Sequence, residues 1–152
     1  MFKATIVISL TCFLTLTSTY LLADAEIAKA NKALTIEFYT EVILKGNAEA
    51  IDDYIGDTYI QHNPRVADGK AALKELVSGF PKATDDSNLP GEIVRAIAED
   101  NLVVLHVKHH SWPGPNGGAF VDIFRVEDGL IVEHWDVIQA IPDTSANQNT
   151  MF

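Results

Sequence analysis

The chain has 152 residues, 47% hydrophobic and 21% charged, a balance that suits one globular domain with a sizeable core. A net charge of -10 and a pI near 4.7, with no run of lysine or arginine, exclude an ordinary nucleic-acid partner, because phosphate binding needs a basic patch. The one cysteine, Cys12, falls within the first 25 residues, so the domain beyond them has no disulfide and no thiol chemistry.

Residues 1–25 read as a secretory leader. Lys3 precedes an uncharged run from Ala4 to Leu22, and Ala23-Asp24-Ala25 places small residues where a signal peptidase reads them, so cleavage is expected after Ala25 and the protein is expected to be exported. The alternative is an uncleaved anchor, since the run approaches the roughly 20 residues that cross a bilayer. Membrane contact is expected only in that case. Ser9-Leu10-Thr11 does not make a lipoprotein cleavage site ahead of Cys12.

The folded domain is expected over 26–140, with a polar tail over 141–152. Glu26–Lys45 carries Ile27, Ala30, Leu34, Phe38 and Val42 at three- and four-residue steps, which predicts a helix stopped by Gly46. A short second helix is expected over Ala48–Ile55, opened by Asn47. Asp57–Pro64 reads as irregular, with Pro64 steering Asn63 away from helix. Asp68 is placed to cap a third helix over Lys70–Phe80. Past Gly91 the apolar period shortens to two, predicting strands at Glu92–Glu99, Leu102–Trp112, Ala119–Val126 and Leu130–Ile138. Helices followed by an antiparallel meander define an α+β domain, with helices packed on one face of a curved sheet.

The last hairpin decides which side chains face inward. A two-residue turn at Asp128-Gly129 would set Asp122 opposite Trp135. A three-residue loop, Glu127-Asp128-Gly129 with a bulged glycine, would set Asp122 opposite His134, and the Glu-Asp-Gly order favours it. Phe120, Asp122, Phe124 and Val126 then share the inner face with Leu130, Val132, His134, Asp136 and Ile138. The outer face holds Val121, Ile123, Arg125, Ile131, Glu133, Trp135 and Val137, too apolar for free solvent, and suggests a subunit interface with an Arg125–Glu133 pair. A one-residue error would exchange the faces.

Asp122, a carboxylate between Phe120 and Phe124 on a buried face, is costly unless paired, hydrogen-bonded or protonated, and is the leading acid/base candidate. His109, on the inward face of the second strand with Val103, Leu105 and Val107, and His134 are placed to orient it or shuttle a proton. His106, Lys108 and His110 are expected outward. Asp136 is a second acid or a salt-bridge partner. His62 and Gln61, before the Asn63-Pro64 turn, are candidates for a pocket mouth; the plainer reading is a turn in which Asn63 bonds the backbone. No HxH or HExxH spacing appears, and the adjacent His109 and His110 point to opposite faces, so no metal is expected. Nor is there a nucleotide-binding glycine loop or a GxSxG elbow.

The segments Tyr59-Ile60-Gln61-His62-Asn63-Pro64, Asp68-Gly69, Phe120 through Gly129, and Ile131-Val132-Glu133-His134-Trp135-Asp136 together resemble the SnoaL-like polyketide cyclase group of the nuclear transport factor 2-like (NTF2-like) superfamily. The resemblance spans Glu26–Gln139. It implies a cone-shaped α+β barrel around a deep apolar pocket, dimers through the outer sheet face, and ring closure by aldol condensation without metal or cofactor. It also implies an acid/base aspartate on the penultimate strand, where Asp122 stands, and a polar pocket residue at His109. The expected partner is a small apolar molecule. The expectation is thus a cofactor-independent cyclase, aldol-condensation or isomerase enzyme, with Asp122, His109 and His134 catalytic and His62, Gln61, Asp136, Phe120 and Phe124 contacting substrate. The alternatives are an exported binding protein that uses the same pocket, and a hydrolase activating a water between Asp122 and Asp136.

Overall fold

The computed structural model describes residues 24–152. The expected leader lies, but for its last two residues, outside them, as does Cys12. Helix α1 runs through residues 24–38 and continues as a π-helix over Tyr39–Leu44, in which the Lys45 N–H reaches back five residues to the Thr40 carbonyl. The wider turn lets the consecutive Phe38 and Tyr39 both point inward. The buried stripe is rotated from the expected one: Ile27 is exposed, while Asn31 and Thr35 are buried. Asn31 donates to the Asp100 carbonyl and the Thr35 hydroxyl to the Asn31 carbonyl, which satisfies both polar groups.

The second helix is a 3-10 turn at Ala48–Ala50 followed by α2, Ile51–Tyr54; Asn47 precedes it without a side-chain cap. The chain then enters β1, Ile55–Gln61, where an irregular segment was expected. Helix α3 covers Lys70–Ser78. Gly69 stands at its N-cap, while Asp68 instead accepts the Gln61 backbone N–H at 2.7 Å. Strands β2 (Gly91–Glu99), β3 (Leu102–His109), β4 (Gly118–Glu127) and β5 (Leu130–Ala140) follow the expected meander.

The sheet order is β1-β5-β4-β3-β2, with β1 parallel to β5 and the other pairs antiparallel. The edge strands β1 and β2 are not paired with each other, so the sheet is an open layer rather than a closed barrel. Phe38, Val42, Ile51, Leu73 and Val77 from the helices pack on Val103, Leu105, Val107, Phe124, Val126 and Ile131 of the sheet. Phe38 meets Phe124 edge-on, ring centroids 5.6 Å apart, a geometry that adds about 0.5–1.5 kcal/mol beyond area burial.

The hairpin register corrects the sequence reading. Glu127 pairs with Leu130, so the turn is the two-residue Asp128-Gly129, both at positive φ (50° and 75°) as a type I′ turn requires. Val126 pairs with Ile131 but Arg125 with Glu133, which leaves Val132 as an extra residue in β5. The one-residue shift comes from this bulge rather than from the loop. Ile131 therefore points into the core and Leu130 and Val132 do not belong to the buried set, whereas His134, Asp136 and Ile138 come to the inner face as expected. Asp122 stands opposite Asp136, and His134 opposite Phe124. Val132 lies over Gly56 of β1, where an added Cβ would sit 3.0 Å from its Cγ1.

On the outer face Arg125 Nε donates to Glu133 Oε2 at 2.6 Å, the anticipated pair. The tail returns to this face: Phe152 stacks on His106 and lies under the Lys108 ammonium.

Candidate active site

Between the inner sheet face, α1 and α3 lies a cavity of about 990 Å³, lined by apolar side chains such as Phe38, Leu73, Phe80, Trp112 and Ile138 and by a short row of polar ones. Asp122 occupies its wall at 5% exposure. The period-two register of β4 places it between Phe120 and Phe124, and each phenylalanine stacks on a histidine: Phe120 on His109 (centroids 4.3 Å apart), Phe124 on His134 (4.7 Å).

Both carboxylate oxygens of Asp122 are engaged. Oδ1 lies 3.1 Å from His134 Nε2, and Oδ2 accepts from the Tyr39 hydroxyl at 3.1 Å. Burial, and next the Asp122 charge, push the Tyr39 phenol well above its ordinary value, so it remains an O–H donor. The other ring nitrogen of His134, Nδ1, lies 2.8 Å from Gln61 Oε1. Asn63 Nδ2 donates to Asp136 Oδ2 at 2.6 Å, while its Oδ1 accepts the Arg65 N–H. Tyr59, buried on the same wall, accepts weakly from Gln61 Nε2 at 3.4 Å, and burial raises its phenol as well.

Gln61, His109, Phe120, Asp122, Phe124, His134 and Asp136 thus all line one cavity. His62 does not. Side chains alternate along a strand, and Gln61 takes the inner side of β1, so its neighbour is turned outward. His62 stacks flat on Trp135 (centroids 4.7 Å apart) and bonds Glu133 Oε1 at 2.8 Å. That bond, with Arg125, holds the Glu133 carboxyl below the usual range. His109 reaches the cavity through its stack on Phe120, and burial pushes its imidazole down although the Asp122 charge opposes this.

Five polar residues of the cavity lining were not singled out from the sequence: Tyr39, Tyr59, Arg65, Ser111 and, as an inward donor, Asn63. Tyr59, Gln61 and Asn63 recur at every second position, a strand period that could have revealed them. Tyr39 carried no signal, because its inward turn depends on the π-helix. Asp122, His134 and Asp136 offer ligand atoms all within 4.8 Å of one another and are, among the described residues, the groups that could hold a cation. Both His134 nitrogens are already engaged, however, and a metal would have to break one of those bonds.

An open five-stranded sheet with helices packed on one face is an NTF2-like fold, shared with solved NTF2-like structures. The chain belongs to the SnoaL-like domain family, whose model matches residues 36–134. Among solved structures it is similar to a provisionally assigned polyketide cyclase from Acidithiobacillus ferrooxidans (21% identity, 72% of this chain and 87% of the other covered, TM-score 0.54). It is also similar to a provisionally assigned ketosteroid isomerase from Kribbella flavida (13%, 79% and 85%, TM-score 0.61) and an NTF2-like protein of unknown function from Burkholderia xenovorans (18%, 79% and 91%, TM-score 0.61). At these identities the likeness shows the fold alone. A curated relative, the Probable dual-specificity RNA methyltransferase RlmN of Flavobacterium johnsoniae, is 26% identical over 81 residues; the match spans 53% of this chain but only 23% of that protein.

Proposed function

We propose that the protein is a cofactor-independent enzyme that removes and returns a proton alpha to the carbonyl of a small apolar compound, by aldol-type cyclisation or isomerisation. One observation carries the reading: Asp122 is buried at the wall of a large apolar cavity, with both oxygens held by Tyr39 and His134. A carboxylate held this way is a placed acid/base rather than a solvated surface charge. Asp122 takes the substrate proton, and His134 balances the charge that develops. The Tyr59 hydroxyl, which accepts from Gln61 and finds no protein acceptor among the described residues, is free to donate to the developing enolate oxygen. His62, expected to contact substrate, takes no part, because it faces Glu133 and Trp135 on the outer side. His109, Phe120 and Phe124 hold the substrate ring, and Asn63 restrains Asp136.

The leader adds that the enzyme acts outside the cytoplasm; the mass of the mature chain tests this, with a start at Glu26 expected. Asp122→Asn keeps the shape of the side chain and should lower turnover of any carbonyl substrate by about 10²–10⁴-fold, with the far-UV circular dichroism unchanged. A variant that retains full activity would end the assignment. Unchanged ligand affinity with no turnover in either protein would indicate a binding protein instead.

A further inference from the structure

The atoms around His134 fix where its protons are. A backbone N–H can only donate, and the Asn63 N–H lies 3.0 Å from Gln61 Oε1. Turning the amide over would set NH2 against N–H, so that atom is the oxygen. The same oxygen lies 2.8 Å from His134 Nδ1. An amide oxygen cannot donate, so Nδ1 must carry a hydrogen. The Asn63 backbone donor thus sets the tautomer of His134 through the Gln61 amide.

The consequence falls on the other nitrogen. If Nδ1 is protonated, the 3.1 Å contact between Nε2 and Asp122 Oδ1 needs a further proton, on nitrogen or on oxygen. The pair is then either imidazolium and carboxylate or imidazole and carboxylic acid, and carries no net charge in both forms. The usual arrangement would have Nε2–H donating to a carboxylate with Nδ1 bare, and would leave one negative charge buried. The cost of a lone buried carboxylate favours the neutral pair. Among the described residues Tyr39 makes the only other bond to the Asp122 carboxyl, and it donates in both cases.

The backbone of β1 holds Gln61 in place. Its N–H donates to Asp68 Oδ1 at 2.7 Å, and the next residue's N–H donates to the His134 carbonyl at 2.9 Å.

We propose that Gln61 is a positioning residue that locks His134 in the Nδ1-protonated form, so that the Asp122–His134 pair stores one transferable proton and no net charge. The proposal deepens the acid/base reading of the site and rests on it, since in the imidazolium–carboxylate form Asp122 is free to take the substrate proton while His134 holds the stored one. Its test requires no substrate and so stands or falls separately.

The experiment is nitrogen NMR of the full mature protein labelled with 15N-histidine at neutral pH, with the His134 signals identified by their loss in His134→Gln. The 15N shifts distinguish a protonated ring nitrogen from a bare one. In the wild-type protein His134 Nδ1 should be protonated. In Gln61→Met, where no acceptor faces it, Nδ1 should lose its proton and Nε2 should carry the only one. Gln61→Glu restores an acceptor and should restore the protonated Nδ1. A bare Nδ1 in the wild type would overturn the proposal without recourse to any variant. A protonated Nδ1 that survives in Gln61→Met would also overturn it, because the lock would then lie elsewhere. Absence of turnover would count against the enzymatic reading and leave these signals unaffected.

Discussion

At the scale of single residues, the site depends on hydrogen bonds that cross between elements distant in sequence. Tyr39 on α1 and Asp122 on β4 are the clearest case. Tyr39→Phe keeps the ring in the core but strands Oδ2, and should cost about 1–3 kcal/mol of stability, read as a lower urea midpoint with an unchanged slope. His109 adds a pH dependence. Because burial lowers its folded-state pKa, the unfolded chain binds the proton more readily. Its contribution is fully present above the ordinary histidine value of about 6.5. It is lost as pH falls below that value towards the depressed folded one. Urea midpoints at pH 7.5 and 5.5 should therefore fall less between the two in His109→Gln than in the wild type. Asp122 itself was legible because a lone carboxylate in an alternating apolar run has few innocuous explanations. His62 was misplaced because a proline-fixed turn says nothing about which side of the preceding strand its residues take.

At the scale of elements, long periodic segments read well and short irregular ones did not. The four meander strands lie close to their expected bounds because alternation over eight or more residues averages out local exceptions. Strand β1 was missed for a physical reason. Its pairing with β5 matches Ile55 to Ile131 but Ile60 to Glu133, so Gly56 through Tyr59 are irregular and show no clean alternation. An edge strand that pairs on one side only also needs less apolar sequence. The hairpin at Asp128-Gly129 makes its own prediction. Gly129 has open space around it, so only its φ of 75° resists a side chain. Gly129→Val should thus destabilise by about 1–2 kcal/mol through backbone strain, visible as a lower thermal midpoint, while Asp122 and His134 keep their positions.

At the scale of the whole molecule, the outer sheet face remains the place to look for self-association. Ile97, Val104, Ile123 and Trp135 form one row across four strands, and Val121 and Val137 pair in the next. Val137 and Ile97 are 67% and 64% exposed, respectively, a large apolar display for a face with no helix on it. The expected homodimer would bury this patch. Sedimentation should then give a dimer for the wild type and a monomer for Val137→Lys; equal masses would remove the proposal. The tail that sets Phe152 on His106 shares the same face and would have to fit the interface or leave it. None of this was legible beyond the outward pattern itself, because a strand's two faces can be told apart from sequence but their occupants cannot.

The extra residue at Val132 bears on how sequences of this kind are compared. Upstream of it the odd-numbered Ile131 faces the core; downstream the even-numbered His134 and Asp136 do. A relative lacking the bulge would match this chain in length and turn if one position were dropped. The eye, or an algorithm, would most readily put that gap in the Asp-Gly hairpin, where loops usually vary. The gap belongs inside the strand. Placed at the turn, it would leave the upstream part of β5, Leu130 and Ile131, one position out of step with its true counterparts. A conserved core position would then be scored as a substitution even though every downstream cavity residue was aligned correctly.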